Sequence, residues 1–342
     1  MGRRITQLLC AISVITLAHA APTLGIEGDH FTIDGKPQFL LLVSYFDAVR
    51  ASDQSLESDF AWLRANRFDG LRIFPNWWNV TKDDGFPPDT LFDGDGNIRP
   101  AQLARLKTVL GRATAHNLIV DLSFAHETVR GLSALRDDQV GKPQGELPVN
   151  QVRADACEHA FVSVTKELLP YRNLFFDIQN EFNGRVTHLS NEEVSRFAAA
   201  IKRADPSRLL TASLANEIGP EEVAKRTNAV GVDVIAWHES RNPWRFDAMD
   251  ALARAAKSVS QKPLYFGEPA SFEDAGLSVD QFLVAVTKAK AGGAAAWTLH
   301  TEHGFDLHAR SLRDQLTAPE RQFAEQAAAR LDATPWGISR NR

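Results

Sequence analysis

The chain has 342 residues, 44% of them hydrophobic and 24% charged, and a formal net charge of −5. That composition excludes a fibrous or disordered chain, and the absence of any Lys/Arg run gives no footprint for nucleic acid. No apolar stretch is long and uninterrupted enough to read as a membrane helix.

The first twenty residues read as a secretory leader. Arg3 and Arg4 form a positive start, Ile5 to Leu17 a short apolar core, and Ala18-His-Ala20 a small-residue cleavage site. The expectation is a secreted or periplasmic protein cut after Ala20, with no membrane attachment afterwards, and a single monomeric domain over 21–342. Losing Arg3 and Arg4 and no acid would move the charge from −5 to −7. Mild acidity of that kind suits a neutral substrate. Cys10 would leave with the leader, so Cys157 has no partner for an intramolecular disulfide. It keeps helical register with Phe161, Val164 and Leu168, the pattern of a packed core thiol.

Residues 26–38 read as a hairpin turning at Asp34-Gly35. From Phe39 onward short apolar runs alternate with amphipathic helices. The runs are Phe39–Val43, Leu71–Phe74, Leu118–Leu122, Leu174–Ile178, Leu209–Leu214, Val234–Trp237, Leu264–Phe266 and Ala294–Leu299. Helix starts are marked by Ser190 with Glu193 and by Ser278 with Gln281, two capping boxes. Continuous apolar strands alternating with helices make a parallel sheet, and eight such units predict a closed (β/α)8 TIM barrel with the hairpin plugging its bottom, a doubly wound open sheet being the alternative. No Gly-x-Gly-x-x-Gly follows the first run, which counts against a dinucleotide cofactor.

In such a barrel the chemistry gathers where the strands end. The residues there are Tyr45, Asp47, Arg72, His126, Glu127, Asn180, Glu181, Asn216, His238, Glu239, Glu268, Trp297 and His300. Two of the acids, Glu181 and Glu268, each close an apolar strand, a costly place for a carboxylate unless it is solvated, paired or used. As a pair they match the two acids of glycosidic cleavage.

Several of these residues together carry a resemblance. Phe31-Thr-Ile-Asp-Gly-Lys-Pro37, Leu71-Arg-Ile73, Phe176-Asp-Ile-Gln-Asn-Glu181, Phe266-Gly-Glu268 and Trp297 fall in order along the chain. In that order they resemble the clan A glycoside hydrolases, most closely the cellulase-like family 5 barrels. The resemblance implies a cofactor-free retaining hydrolase of β-linked poly- or oligosaccharides. Glu181 would be the general acid/base and Glu268 the nucleophile, with Asn180, Arg72 and His238 in support. Trp297, His126, Tyr45, Trp77 and Glu302 would bind sugar, and no metal is implied.

The chain departs from the family pattern in three places. Phe182 follows Glu181 where the family has proline. His238-Glu-Ser240 lacks the tyrosine that bonds the nucleophile, leaving Tyr45 or Tyr265 to replace it. The third run ends in Ser123-Phe-Ala-His126 rather than a histidine-rich segment. Two other readings stand beside the enzyme: an inactive carbohydrate-binding barrel, and a metal-dependent hydrolase drawing on His300, Glu302, His303 and Asp306. The first-strand His-x-His of metal-dependent barrels is replaced here by Ser44-Tyr-Phe46.

Overall fold

The structure is a computed structural model that describes residues 21–75, 91–92, 95–124, 151–183, 189–215, 218–239 and 243–337. The leader, Trp77, His126, Glu127, Asn216 and Ser240 lie outside the described residues.

Strands β1 (Leu24–Glu27), β2 (His30–Ile33) and β3 (Lys36–Gln38) form a small antiparallel sheet. Asp34 and Gly35 turn the chain between β2 and β3 with φ of 52° and 75°, the left-handed backbone that an Asp-Gly hairpin turn requires. Phe31 on β2 is fully buried among barrel residues, its ring 5.7 Å from that of Phe175. The sheet thus closes the N-terminal end of the barrel, as the sequence predicts.

Eight parallel strands follow: β4 (Leu40–Ser44), β5 (Gly70–Ile73), β6 (Ile119–Ser123), β7 (Leu174–Asp177), β8 (Leu210–Thr211), β9 (Ile235–Trp237), β10 (Leu264–Phe266) and β11 (Ala296–Leu299). Neighbours pair in chain order, and β11 pairs back onto β4. A bridge between Leu214 and Trp237 links the segment after β8 to β9 and completes the barrel, with His238 N donating to Leu214 O at 2.9 Å.

Around it run α1 (Asp53–Ala65), α2 (Pro100–Ala115), α3 (Gln151–Glu167), α4 (Asn191–Ala204), α5 (Pro220–Val230), α6 (Pro243–Phe246), α7 (Met249–Lys257), α8 (Phe272–Ala275), α9 (Val279–Ala291), α10 (Leu312–Gln315) and α11 (Ala318–Asp332). Ser190/Glu193 and Ser278/Gln281 close capping boxes on α4 and α9, and Thr317/Glu320 closes a third on α11. Cys157 is buried on α3 in the same core as Phe161, Val164 and Leu168.

Strand side chains alternate between two surroundings. Leu41, Val43, Leu71, Ile73, Phe176 and Trp237 pack outward in the layer beneath the helices. Leu40, Leu42, Ile119, Phe175 and Tyr265 fill the barrel interior. Toward the C-terminal ends the inward positions become polar: Ser44, Arg72, Asp121, Ser123 and Asp177 are all buried there. Burying so many polar groups is tolerable only if they satisfy one another, and that requirement shapes the site.

Candidate active site

Arg72 organises the C-terminal end of the barrel. It lies on β5 between Ser44 of β4 and Asp121 of β6, is fully buried, and stands over the rings of Phe46 and Phe74 at 5.3 and 5.0 Å. Its Nη1 donates to Glu268 Oε1. Its Nη2 donates to Asn180 Oδ1 at 2.6 Å and to Asp177 Oδ2 at 3.1 Å, and its Nε lies 3.1 Å from Asp121 Oδ2. The two terminal nitrogens of one planar fork therefore hold three acceptors in fixed directions, with Asp121 as an ion-pair partner beside Nε, an arrangement a lysine cannot reproduce.

Arg72 thus stands among three carboxylates, Glu268, Asp177 and Asp121, in a dry place. Burial, opposed by Arg72 and reinforced by Asp177, pushes the Asp121 carboxyl up to about 7. Glu268 goes the other way. Burial acts to raise it, but the positive charges of His238, Arg72 and His300 and the Arg72 hydrogen bond outweigh burial, holding it well below the ordinary carboxylate range.

Glu181 and His238 face Glu268. His238 Nδ1 is 3.1 Å from Glu181 Oε1 and 3.7 Å from Glu268 Oε2. Gly267 lies close against this histidine: a Cβ there would fall 3.0 Å from His238 Nε2 and press on the ring. Oxygens of Glu181 and Glu268 and a nitrogen of His238 all lie within 4.8 Å of one another, the one group among the described residues with a spacing that could hold a metal ion.

The loop after β7 places Glu181 with φ of +48°, a left-handed backbone that non-glycine residues seldom adopt. Glu181 N donates to Ser213 Oγ at 3.0 Å, Phe182 N to Ser213 O at 3.0 Å, and Ala215 N to Asn183 Oδ1 at 2.7 Å. This accounts for phenylalanine after the acid. Proline there would forfeit the Phe182 N–H bond and drive the preceding residue toward extended backbone. Phe182→Pro is accordingly expected to destabilise the protein by about 1–3 kcal/mol, through the unsatisfied acceptor and the displaced loop. Thermal unfolding checks it: a melting temperature equal to that of the native chain would show that the loop does not need this bond.

Two sugar-binding assignments are corrected. Tyr45 is fully buried with its hydroxyl donating to Asp59 Oδ2 of α1 at 2.8 Å and its ring against Phe60. Trp297 is buried between Phe246 and Phe266. Trp297 on β11 and Tyr45 just after β4 both pack outward with Leu41 and Val43, so neither reaches the barrel mouth. Nor does a tyrosine replace the one missing from the sixth strand of the barrel. Tyr265 points inward and shares a hydrogen bond with Thr298 at 2.7 Å. The residue at the mouth on the last strand is His300, its Nδ1 3.0 Å from Ser44 Oγ. Glu302 stands exposed in a short 3-10 turn after β11.

No family sequence model matches the chain, and no curated protein is significantly similar to it in sequence. Solved structures are similar over nearly its whole length. An endo-1,4-beta-mannanase from Rhizomucor miehei is 15% identical at a TM-score of 0.66, covering 91% of this chain and 99% of that one. A beta-mannanase from the blue mussel Mytilus edulis is 17% identical at 0.60, covering 90% and 97%. GH5_18 from Streptomyces cattleya, solved in complex with GlcNAc, is 14% identical at 0.62, covering 89% and 83%. The fold is that of the family 5 glycoside hydrolases. On this family 5 fold the two acids stand at the ends of the fourth and seventh barrel strands, β7 and β10. The sequence had singled out Glu181, Glu268, Arg72, Asn180 and His238, and the fold brings all five together. His300, also among the strand-end residues read from the sequence, joins them, and the fold adds Asp121, Asp177 and Ser213. Of these, Asp121 and Asp177 were open to detection as charged residues at inward positions of otherwise apolar strands.

Proposed function

We propose that the chain is a retaining β-glycoside hydrolase acting on a β-linked poly- or oligosaccharide. The observation that carries this reading is that one oxygen of Glu181 and one of Glu268 lie within 4.8 Å of each other. Retaining glycosidases hold their carboxyls about 5–5.5 Å apart, whereas inverting ones need at least about 6.5 Å to admit a water between acid and base. The surroundings of Glu268 also suit it to the nucleophile's part. Glu268, kept ionised by its cationic neighbours, attacks the anomeric carbon. Glu181 gives its proton to the departing glycosidic oxygen. The glycosyl ester that forms cancels the charge on Glu268, and Glu181, now a carboxylate, takes a proton from the water that cleaves the ester. Asn180, its oxygen held by Arg72, would offer its amide N–H groups to the sugar 2-hydroxyl.

The mannanases among the similar structures put β-mannan first among substrates to try, with β-glucan second. The leader-like segment 1–20 fits an exported enzyme meeting such polymers outside the cytoplasm. A second reading, a metal-dependent hydrolase, draws on the same Glu181–His238–Glu268 group. The Arg72 contact counts against it, because a guanidinium on Glu268 repels an ion placed there.

The deciding experiment is to incubate the chain from Ala21 onward with mannan, glucan and aryl β-glycosides, with and without a chelator. Proton NMR then follows the first-formed anomer. Release of the β-anomer, indifferent to chelator, is the expected result. First release of the α-anomer would overturn retention, and loss of activity with chelator would favour the metal. Silence on every substrate would favour the inactive binding barrel.

A further inference from the structure

Ser213, two residues beyond β8, belongs to no motif of the sequence, yet it joins the surroundings of the two acids. Its hydroxyl donates to Asp177 Oδ2 at 2.8 Å and accepts from Glu181 N–H at 3.0 Å. Its own N–H donates to Asp177 Oδ1 at 2.9 Å, and its carbonyl accepts from Phe182 N–H at 3.0 Å. Asp177 also accepts from Arg72, whose other arm holds Glu268. Hydrogen bonds therefore run without a break from Glu268 through Arg72, Asp177 and Ser213 to the main chain of Glu181.

A link of this kind needs a side chain that donates on one side and accepts on the other. A hydroxyl does both, and serine does so in little space. The accepted bond falls on Glu181, whose left-handed backbone persists only where the surroundings enforce it. Ser213 has no solvent exposure, so water cannot easily stand in for the hydroxyl.

We infer that Ser213 is a positioning residue for the acid/base: with Asp177 it fixes the Glu181 backbone so that its carboxyl meets the glycosidic oxygen while Glu268 attacks. The inference rests on the retaining reading above. It predicts a selective defect, because Ser213→Ala removes the hydroxyl link but keeps both backbone bonds to Asp177 and Phe182. The nucleophile keeps its arginine, and proton delivery suffers.

Leaving groups separate these effects. A 2,4-dinitrophenolate departs without a proton, whereas a phenolate of ordinary basicity needs one in the transition state. The probes are phenyl and 2,4-dinitrophenyl β-glycosides of mannose, glucose, mannobiose and cellobiose, read as kcat/KM. In Ser213→Ala, kcat/KM on the phenyl glycoside is expected to fall about ten- to hundredfold, and on the dinitrophenyl glycoside by less than about threefold. Ser213→Thr, which restores a hydroxyl, is expected to recover the phenyl activity. If the alanine form does not fold, Ser213→Cys, with a weak acceptor in place of oxygen, serves for the same comparison. Equal losses on both leaving groups, or no loss, would overturn the inference while leaving the retaining reading intact. A native chain inactive on all of these glycosides would overturn both.

Discussion

Glu268→Ala is expected to lower cleavage of a sensitive β-glycoside by at least about 10⁴-fold while leaving the fold in place, since it removes the group that forms the covalent intermediate. The expectation of a stable variant comes from the charges around Arg72. That guanidinium also contacts Asp121 and Asp177, so deleting Glu268 leaves it paired. The vacated space lies on the face of the sugar opposite the leaving group. A small anion such as azide entering there would attack the same carbon that Glu268 attacks, and no carboxylate would remain to displace it. Turnover of a 2,4-dinitrophenyl glycoside should then return with added azide and give the α-glycosyl azide. Native-level activity in Glu268→Ala would remove Glu268 from the chemistry. A β-configured azide would move the nucleophile's role to another residue.

The fold was legible because a parallel barrel repeats one signal eight times, and an error in any single strand leaves the count intact. The acids were legible for a related reason. Glu181 and Glu268 interrupt apolar runs, and a carboxylate at such a place demands a physical explanation. Tyr45 and Trp297 were misjudged because chemical type was weighed without strand parity. Counting in twos from Leu40 and Leu42, which face inward, puts Tyr45 outward, and the register of β11 on β4 pairs Trp297 with outward-facing Leu41. The same count brings His300 inward with Ala296 and Thr298. Ser213 could not have been found this way. A serine after a two-residue strand is unremarkable in sequence, and its importance comes from contacts with Asp177 and Glu181, more than thirty residues earlier in the chain.

Arg72→Met is the substitution expected to damage both stability and activity. The side chain is completely buried, and removing it leaves Glu268, Asp121 and Asp177 facing one another without the guanidinium that joins them. Breaking a buried pair by deleting one partner costs about 3–5 kcal/mol, which chemical denaturation would measure directly. The sign of the pH effect follows from Glu268. In the native chain the arginine helps to hold this carboxyl below its ordinary range, so the nucleophile stays ionised into acid. Without Arg72, burial acts with less opposition, the carboxyl rises, and the acid limb of kcat/KM moves toward neutral pH. Arg72→Lys separates charge from geometry. The ammonium restores a positive charge, so stability and the acid limb should lie between native and Arg72→Met. It cannot span Glu268, Asn180, Asp177 and Asp121 at once, so turnover should stay at least about tenfold below native. A lysine variant with native turnover would mean that charge alone sets the nucleophile, and the fork that ties Asn180 and Asp177 to it would be dispensable. An acid limb unmoved in Arg72→Met would mean that His238 and His300 suffice to keep Glu268 ionised.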